Sequence, residues 1–334
     1  MKKILGYTIP LLLAALLLWY AYKDIDFGQM LQNMKQAHLL PIFTTLITTV
    51  VAHLARALRW NLLFQPLGYQ PSVKNSFLAV MSGYFANLII PRAGEITRCT
   101  ALFASEKIPV QTSVGSVIAE RGLDLIVFGI LTLCAFGIEY QVLVNFIADV
   151  SIKLGIGTGN SSNLKWIILG TVTIISVIAS IFRKRLSQIP LIAKIFELAA
   201  GFLEGLLSVT KLQKPVLFVF YTFIIWICYF LTTYFSLLIF DFTSDLGFKA
   251  AFLLLVIGSF GIILPVPGAV GGPFQAFVSS ALVLLYLKDE SLSVTAATTM
   301  YYSQQFFTVV LGGLSYLATV ILTNQAISTD EKSI

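Results

Sequence analysis

The sequence predicts an all-α polytopic membrane protein with six transmembrane helices and two re-entrant broken-helix hairpins in an inverted repeat. Three observations lead there. Of 334 residues, 57% are hydrophobic and only 11% charged, whereas an average soluble domain carries about 25% charged residues. Apolar stretches long enough to cross a hydrocarbon core of about 30 Å recur along the chain. Two further apolar stretches are interrupted by Pro-Gly motifs. This balance excludes a soluble enzyme, a nucleic-acid binder and a secreted disulfide scaffold. The whole chain, 1–334, reads as one integral membrane domain.

Full spans are expected at about 4–22, 39–58, 112–137, 164–182, 215–240 and 295–323. The first follows Met1-Lys2-Lys3 and resembles a signal peptide. It is long for such a segment, however, and Trp19-Tyr20-Ala21-Tyr22 is not a small-residue cleavage site, so it is read as a retained span. The first interrupted stretch breaks at Pro91-Arg92-Ala93-Gly94-Glu95. The second breaks at Pro265-Val266-Pro267-Gly268-Ala269-Val270-Gly271-Gly272-Pro273. Proline removes a backbone donor and clashes with the preceding turn, and glycine admits dihedrals other residues avoid, so neither helix passes straight through. Pro91, Gly94, Pro265, Pro267, Gly268 and Gly271 are therefore candidate gating positions. Cys99, Cys134 and Cys228 lie in apolar text without a C-x-x-C pair and read as small hydrophobes.

Charge sets the expected topology. With the N-terminus inside and both interrupted stretches returning to their own side, segments 56–111, 183–214 and 324–334 fall inside. Counting Arg121 near the inner end of the third span, sixteen of the 22 lysines and arginines then lie inside, in keeping with the positive-inside rule. Both termini are expected in the cytoplasm. Residues 1–137 give span, span, hairpin, span, and residues 164–323 repeat the order from the opposite side. Inverted repeats with broken helices are a transporter design, since half-helix ends offer dipoles and free backbone groups to a buried polar ligand. The alternative is a pair of ordinary kinks in long helices.

Charged residues mark the candidate site. Arg92, Glu95 and Arg98 are spaced i, i+3, i+6 on one helix face, and Glu120, Arg121 and Asp124 lie in the third span. Three positive and three negative charges sum to zero, so the two elements can neutralise each other. One reading is a salt-bridge cluster that pins the hairpin. The other exposes the arginines to a cavity, where a planar guanidinium takes phosphate oxygens in bidentate fashion. His53, Arg56 and Arg59 form a second row, with Trp60 beside them. Arg56 and Arg59 are expected to snorkel to lipid phosphates, and His53 reads as a packing residue. Arg59 still counts among the substrate-binding candidates. The second half offers neutral hydrogen-bonding groups instead, Gln275 in its hairpin and Gln304 in its last span.

Arg56-Ala57-Leu58-Arg59-Trp60, the run from Asn87 through Pro91-Arg92-Ala93-Gly94-Glu95 to Arg98, and Glu120-Arg121 with Asp124 resemble the lysylphosphatidylglycerol synthase transmembrane-region family, also called flippase-like domain proteins. Pro265-Val266-Pro267-Gly268 with Gly271 resembles that family's second Pro-Gly motif. The resemblance covers nearly the whole chain. It implies an integral membrane protein related to the domain that moves aminoacylated phosphatidylglycerol between leaflets. The sequence departs from the pattern at Gly272-Pro273-Phe274-Gln275, where the family usually has an acidic residue after the glycines. Only about eleven residues, Asn324 to Ile334, follow the last span, so the synthase's aminoacyl-transferase chemistry is not expected.

The expected function is transport of an anionic phospholipid or lipid-linked precursor between leaflets of the bacterial inner membrane. Membrane lipids with anionic headgroups are the expected partners. The alternative is a non-transporting subunit that assists a lipid-modifying or lipid-synthesising enzyme. An intramembrane transferase using Glu95 or Asp124 as base is a third. No enzyme activity, cofactor, metal or nucleic-acid partner is expected, since the sequence has no H-E-x-x-H and no G-x-S-x-G.

Overall fold

The computed structural model describes residues 27–90, 93–153, 212–263, 272–286 and 288–331, and every regular element among them is helical. In chain order these are α1 Phe27–Met34, α2 Leu39–Phe64, α3 Val73–Ile89, α4 Ala93–Glu106, α5 Val110–Ile138, α6 Tyr140–Lys153, α7 Pro215–Leu237, α8 Asp241–Ser244, α9 Gly247–Ile263, α10 Pro273–Tyr286 and α11 Glu290–Glu331. The chain divides into two compact units, residues 1–117 with 211–334, and residues 118–210.

Among the described residues three helices are long and apolar enough to cross a membrane: α2 with its following turn (Leu39–Leu67), α5 and α7. They cover three of the six expected spans. The expected span at 295–323 falls within α11, while those at 4–22 and 164–182 lie outside the described residues. Two details differ from the sequence reading. Helix α2 runs on past 58 to Phe64, and a further helix, α6, occupies Tyr140–Lys153, a stretch to which the sequence reading assigned no element.

Each spanning helix turns its apolar side outward. On α2, Leu39, Leu40, Phe43, Ile47, Val51 and Leu54 are exposed, and Thr45, Thr49, Ala52, His53, Arg56 and Trp60 are buried. Both rows follow the 3.6-residue period, so one stripe faces lipid and the other faces protein. This polarity inside and hydrocarbon outside is stable only where lipid replaces water, because polar groups must then find partners within the bundle.

In the first unit α2 packs against α7, α3 against α4 and α11, and α10 between α9 and α11. Helices α3 and α4 form an antiparallel hairpin. At its base, Glu106 Oε1 accepts the Ser72 N–H at 2.9 Å and the Asn75 Nδ2–H at 2.8 Å. Helices α9 and α10 form a second hairpin, and Lys288 donates to both Asp245 oxygens at its base, at 3.0 and 3.1 Å. Helix α3 also meets α11, through Ser82 with Thr319 at 3.1 Å and Phe85 against Tyr316.

Candidate functional site

Helix α4 places Arg98 at the centre of the first hairpin, 3% exposed. Its guanidinium lies 4.1 Å from the centroid of the Trp60 ring. A cation over an indole face is held by the ring quadrupole, and burial strengthens the attraction. Trp60 is itself fixed. It is fully buried, and its Nε1–H donates to Ser116 Oγ at 2.8 Å, while Ser116 Oγ donates to the Ser113 carbonyl at 2.7 Å. Three elements thus converge on one stack: Arg98 from α4, Trp60 from α2 and Ser116 from the first turns of α5. Glu95 sits half-buried in the first turn of α4, where the positive end of the helix dipole favours a carboxylate.

A second polar line runs along the α2–α7 seam. Thr48 and Thr232 share a hydrogen bond of 2.7 Å, Arg56 Nη2 donates to the Tyr229 hydroxyl at 3.0 Å, and Arg59 Nη1 donates to Thr222 Oγ1 at 3.2 Å. Arg59 also lies 5.5 Å from the centroid of the Phe218 ring. Arg56 is 3% exposed and Arg59 is fully buried. They do not snorkel to lipid phosphates. Their guanidiniums point into the seam, where α7 supplies a phenol, a hydroxyl and an aromatic face. This also explains why α2 continues to Phe64, since the charges that would end a lipid-exposed span are held inside protein. His53, one turn before Arg56, packs its ring on Tyr84 with centroids 4.5 Å apart.

The tip of the first hairpin is built on close backbone approach. Asn87 Oδ1 accepts the Gly94 N–H at 2.7 Å, satisfying one donor that α4 leaves open at its start. A side chain on Gly94 would collide with the Gly83 carbonyl oxygen, and one on Gly83 would come within 2.7 Å of the Gly94 carbonyl oxygen. In the second hairpin Gly261 lets the Phe274 backbone come within 2.9 Å of where a Cβ would stand. Gln275, next on α10, is wholly buried, and neither its Oε1 nor its Nε2 has a hydrogen-bond partner. Phe274 packs against Tyr301 of α11, while Gln304, one turn on, is half-buried.

Arg92, Pro91, Pro265, Pro267, Gly268 and Gly271 lie outside the described residues. Glu120, Arg121 and Asp124 fall on α5 in the second unit, with Glu120 fully buried and the other two half-buried. Of the expected site residues, the first unit brings Arg98 onto Trp60 and sets Arg59 in the neighbouring seam. Sequence reasoning did not single out Arg56, Trp60 or Asn87 as site residues, and it overlooked Ser116, Thr222 and Tyr229. A hydroxyl on a distant helix gives no local signal of the arginine it will meet.

Charge differs between the two ends of the first unit. Around the base of the first hairpin and the start of α7 stand Lys74, Lys107 and Lys214, with Glu106. At the opposite end, among the described residues, Lys35, Lys249 and Lys288 are outnumbered by Asp241, Asp245, Asp289 and Glu290.

The comparisons with known proteins agree with this architecture. A stretch of 147 residues is 29% identical to the "UPF0104 membrane protein MJ1595" of Methanocaldococcus jannaschii, covering 43% of each chain. The matched part is thus less than half the length of that relative. No solved structure matches the chain. A family model matches residues 7–326, nearly the whole sequence, and with the apolar helices it makes the chain an integral membrane protein of the lysylphosphatidylglycerol synthase transmembrane-region family.

Proposed function

We propose that the chain is a flippase-like transporter that moves an anionic phospholipid or lipid-linked precursor between leaflets. The observation that carries this reading is the burial of three arginines, Arg56, Arg59 and Arg98, within one helical unit that faces outward with apolar side chains. A cation at the centre of a bilayer costs about 2.5–3.5 kcal/mol on insertion scales, and such residues are kept for ion or substrate pathways. Arg98 stands over Trp60 with its guanidinium 4.1 Å from the ring centroid, and a planar guanidinium suits a headgroup phosphate. Arg92 is assigned to the same headgroup, with Glu95 as the carboxylate that positions the two arginines. Gln275 and Gln304 complete the path with neutral contacts, and the two Pro-Gly breaks act as gates. No covalent chemistry is assigned to the chain.

The hairpins support the topology. Helices α3 and α4, with 17 and 14 residues, rise about 26 and 21 Å at 1.5 Å per residue. Both fall short of a hydrocarbon core of about 30 Å. This supports a hairpin that enters and leaves by one membrane face. The series of 26, 17, 14 and 29 residues in α2–α5 is followed by 23, 17, 14 and 42 in α7 and α9–α11, which supports an inverted repeat. The lysine-rich end faces the cytoplasm of a bacterial inner membrane, with both termini on that side.

The test is transport of a short-chain fluorescent phosphatidylglycerol in reconstituted vesicles, for Arg98→Lys and Arg98→Ala. Lysine keeps the charge but loses the planar fork, so both variants are expected to lose transport while folding normally. Full transport by correctly folded Arg98→Ala would overturn the assignment. A folded wild-type chain that moves no lipid at all would leave the role of a subunit assisting a lipid-modifying enzyme.

A further inference from the structure

Where α2 ends, a recess of about 360 Å³ opens between its last two turns, the chain at 70–73 and the first turns of α7. Its volume falls in the range of small-ligand sites. Leu58, Leu62 and Leu217 give it apolar walls, and Asn61, Gln65, Gln70 and Lys214 bring polar groups. Arg59 and Arg98 do not line it. It is separate from the proposed transport path.

We propose that this recess is a binding site for one phospholipid headgroup: a phosphodiester whose far end carries hydrogen-bond donors, as hydroxyls or an ammonium.

Three features specify that chemistry. The first is positive potential without a lining carboxylate. Lys214 stands at the rim as the residue before α7, and Pro215 opens the helix, so the next N–H groups, of Val216 and Leu217, are among those a helix leaves without an internal partner. The second is a pair of acceptors. Asn61 donates its Nδ2–H to the Pro71 carbonyl at 2.9 Å. A carbonyl can only accept, so that bond fixes which end of the amide is nitrogen. Asn61 Oδ1 is then left buried without a donor, and Gln65 Oε1 is in the same position one turn on. A ligand that brought only a phosphate would leave both oxygens unsatisfied. A distal hydroxyl or ammonium would satisfy them, with Gln65 turning its amide into the recess about its three side-chain bonds.

The third feature selects a lipid over a soluble phosphate. The recess opens beside the bare apolar flank of α7, where Val216 is 82% and Val219 61% exposed. Acyl chains can lie along that flank while the headgroup enters between the helices. The recess also sits at the lysine-rich end, with Lys74 and Lys107 nearby, which raises the local concentration of anionic lipid.

The experiment uses the full chain with exposed Cys134 replaced by serine and a single cysteine introduced at Gln70, an exposed residue on the rim. The protein is placed in nanodiscs of phosphatidylcholine with 30% phosphatidylglycerol, or with 30% phosphatidylmethanol. The two additives carry the same charge, but only the first has distal hydroxyls. The measured quantity is the rate of labelling by a bulky maleimide. Phosphatidylglycerol is expected to slow labelling about tenfold relative to phosphatidylmethanol, the effect of one or two neutral hydrogen bonds from its distal hydroxyls. Lys214→Ala and Gln65→Leu should each remove most of that protection. Lys214 is exposed, so its replacement leaves the fold intact. Equal rates in the two discs, or protection that survives both substitutions, would overturn the site. Equal protection by soluble glycerol 3-phosphate in phosphatidylmethanol discs would overturn its assignment to a lipid.

Discussion

If the Arg98–Trp60 stack holds the guanidinium in place, the two residues must be energetically coupled. A double-mutant cycle with Arg98→Met and Trp60→Leu measures this. Trp60 is fully buried, and its truncation leaves a cavity and breaks the 2.8 Å bond to Ser116. From large-to-small core changes and one neutral hydrogen bond, the single substitution should cost about 3–4 kcal/mol. Arg98→Met keeps the apolar stem and removes a buried charge along with its interactions, so its own effect should be smaller. With ring and guanidinium 4.1 Å apart and shielded from solvent, the coupling should reach about 2 kcal/mol. Equilibrium unfolding in mixed micelles provides the four free energies. Trp60→Phe in place of Trp60→Leu should retain about half the coupling, because a smaller ring face remains. Additivity within about 0.5 kcal/mol would refute the argument, since residues that do not interact add to that precision.

Other outcomes follow from the hairpins. Gly94→Ala should destabilise by about 2–3 kcal/mol and abolish transport, because its methyl would strike the Gly83 carbonyl and the Asn87 amide; thermal unfolding with a transport assay checks both. Gln275→Leu should raise stability by about 1–2 kcal/mol, since an amide buried without partners gives way to an apolar side chain of similar size, while transport falls if the amide meets the substrate. Partial burial pushes the Glu106 carboxyl upward, but the hydrogen bonds from Ser72 and Asn75 outweigh it and hold the group below its ordinary 4.5. Its stabilisation is therefore present above pH 4.5 and lost as pH falls through the depressed value. Glu106→Gln should remove that portion of the acid sensitivity, which a pH series of melting temperatures will detect.

Much of this architecture was legible in the sequence, and the limits of that reading have physical causes. Apolar length located α2, α5 and α7, because lipid exposure imposes a composition that any window can detect. Proline at 91 and glycine at 94 located the turn between α3 and α4, because backbone restrictions act locally. The end of α2 was misplaced. Arg56 and Arg59 look like residues at a membrane boundary when only their own helix is considered. Their actual environment comes from Tyr229 and Thr222, more than 160 residues later. Trp60 could be read as an interfacial aromatic for the same reason, until α4 brought Arg98 across its face. Periodicity shows which side of a helix is buried but does not identify what covers it.

The α2–α7 seam has a consequence for how the chain is made. Arg59 leaves the ribosome long before Thr222, and Arg56 long before Tyr229. At about 5–20 residues per second, the interval of roughly 170 residues lasts about 10–35 s. Throughout that interval α2 is a nascent helix carrying two guanidiniums, with the partners that will receive them not yet synthesised. Such a helix is poorly suited to release into lipid by itself. It is expected to linger at the insertion machinery, or beside a chaperone that shields polar faces, until α7 arrives. Maturation then depends on the second half of the message, so a ribosome stalled before residue 222 would leave a product marked for degradation by its own unclosed seam.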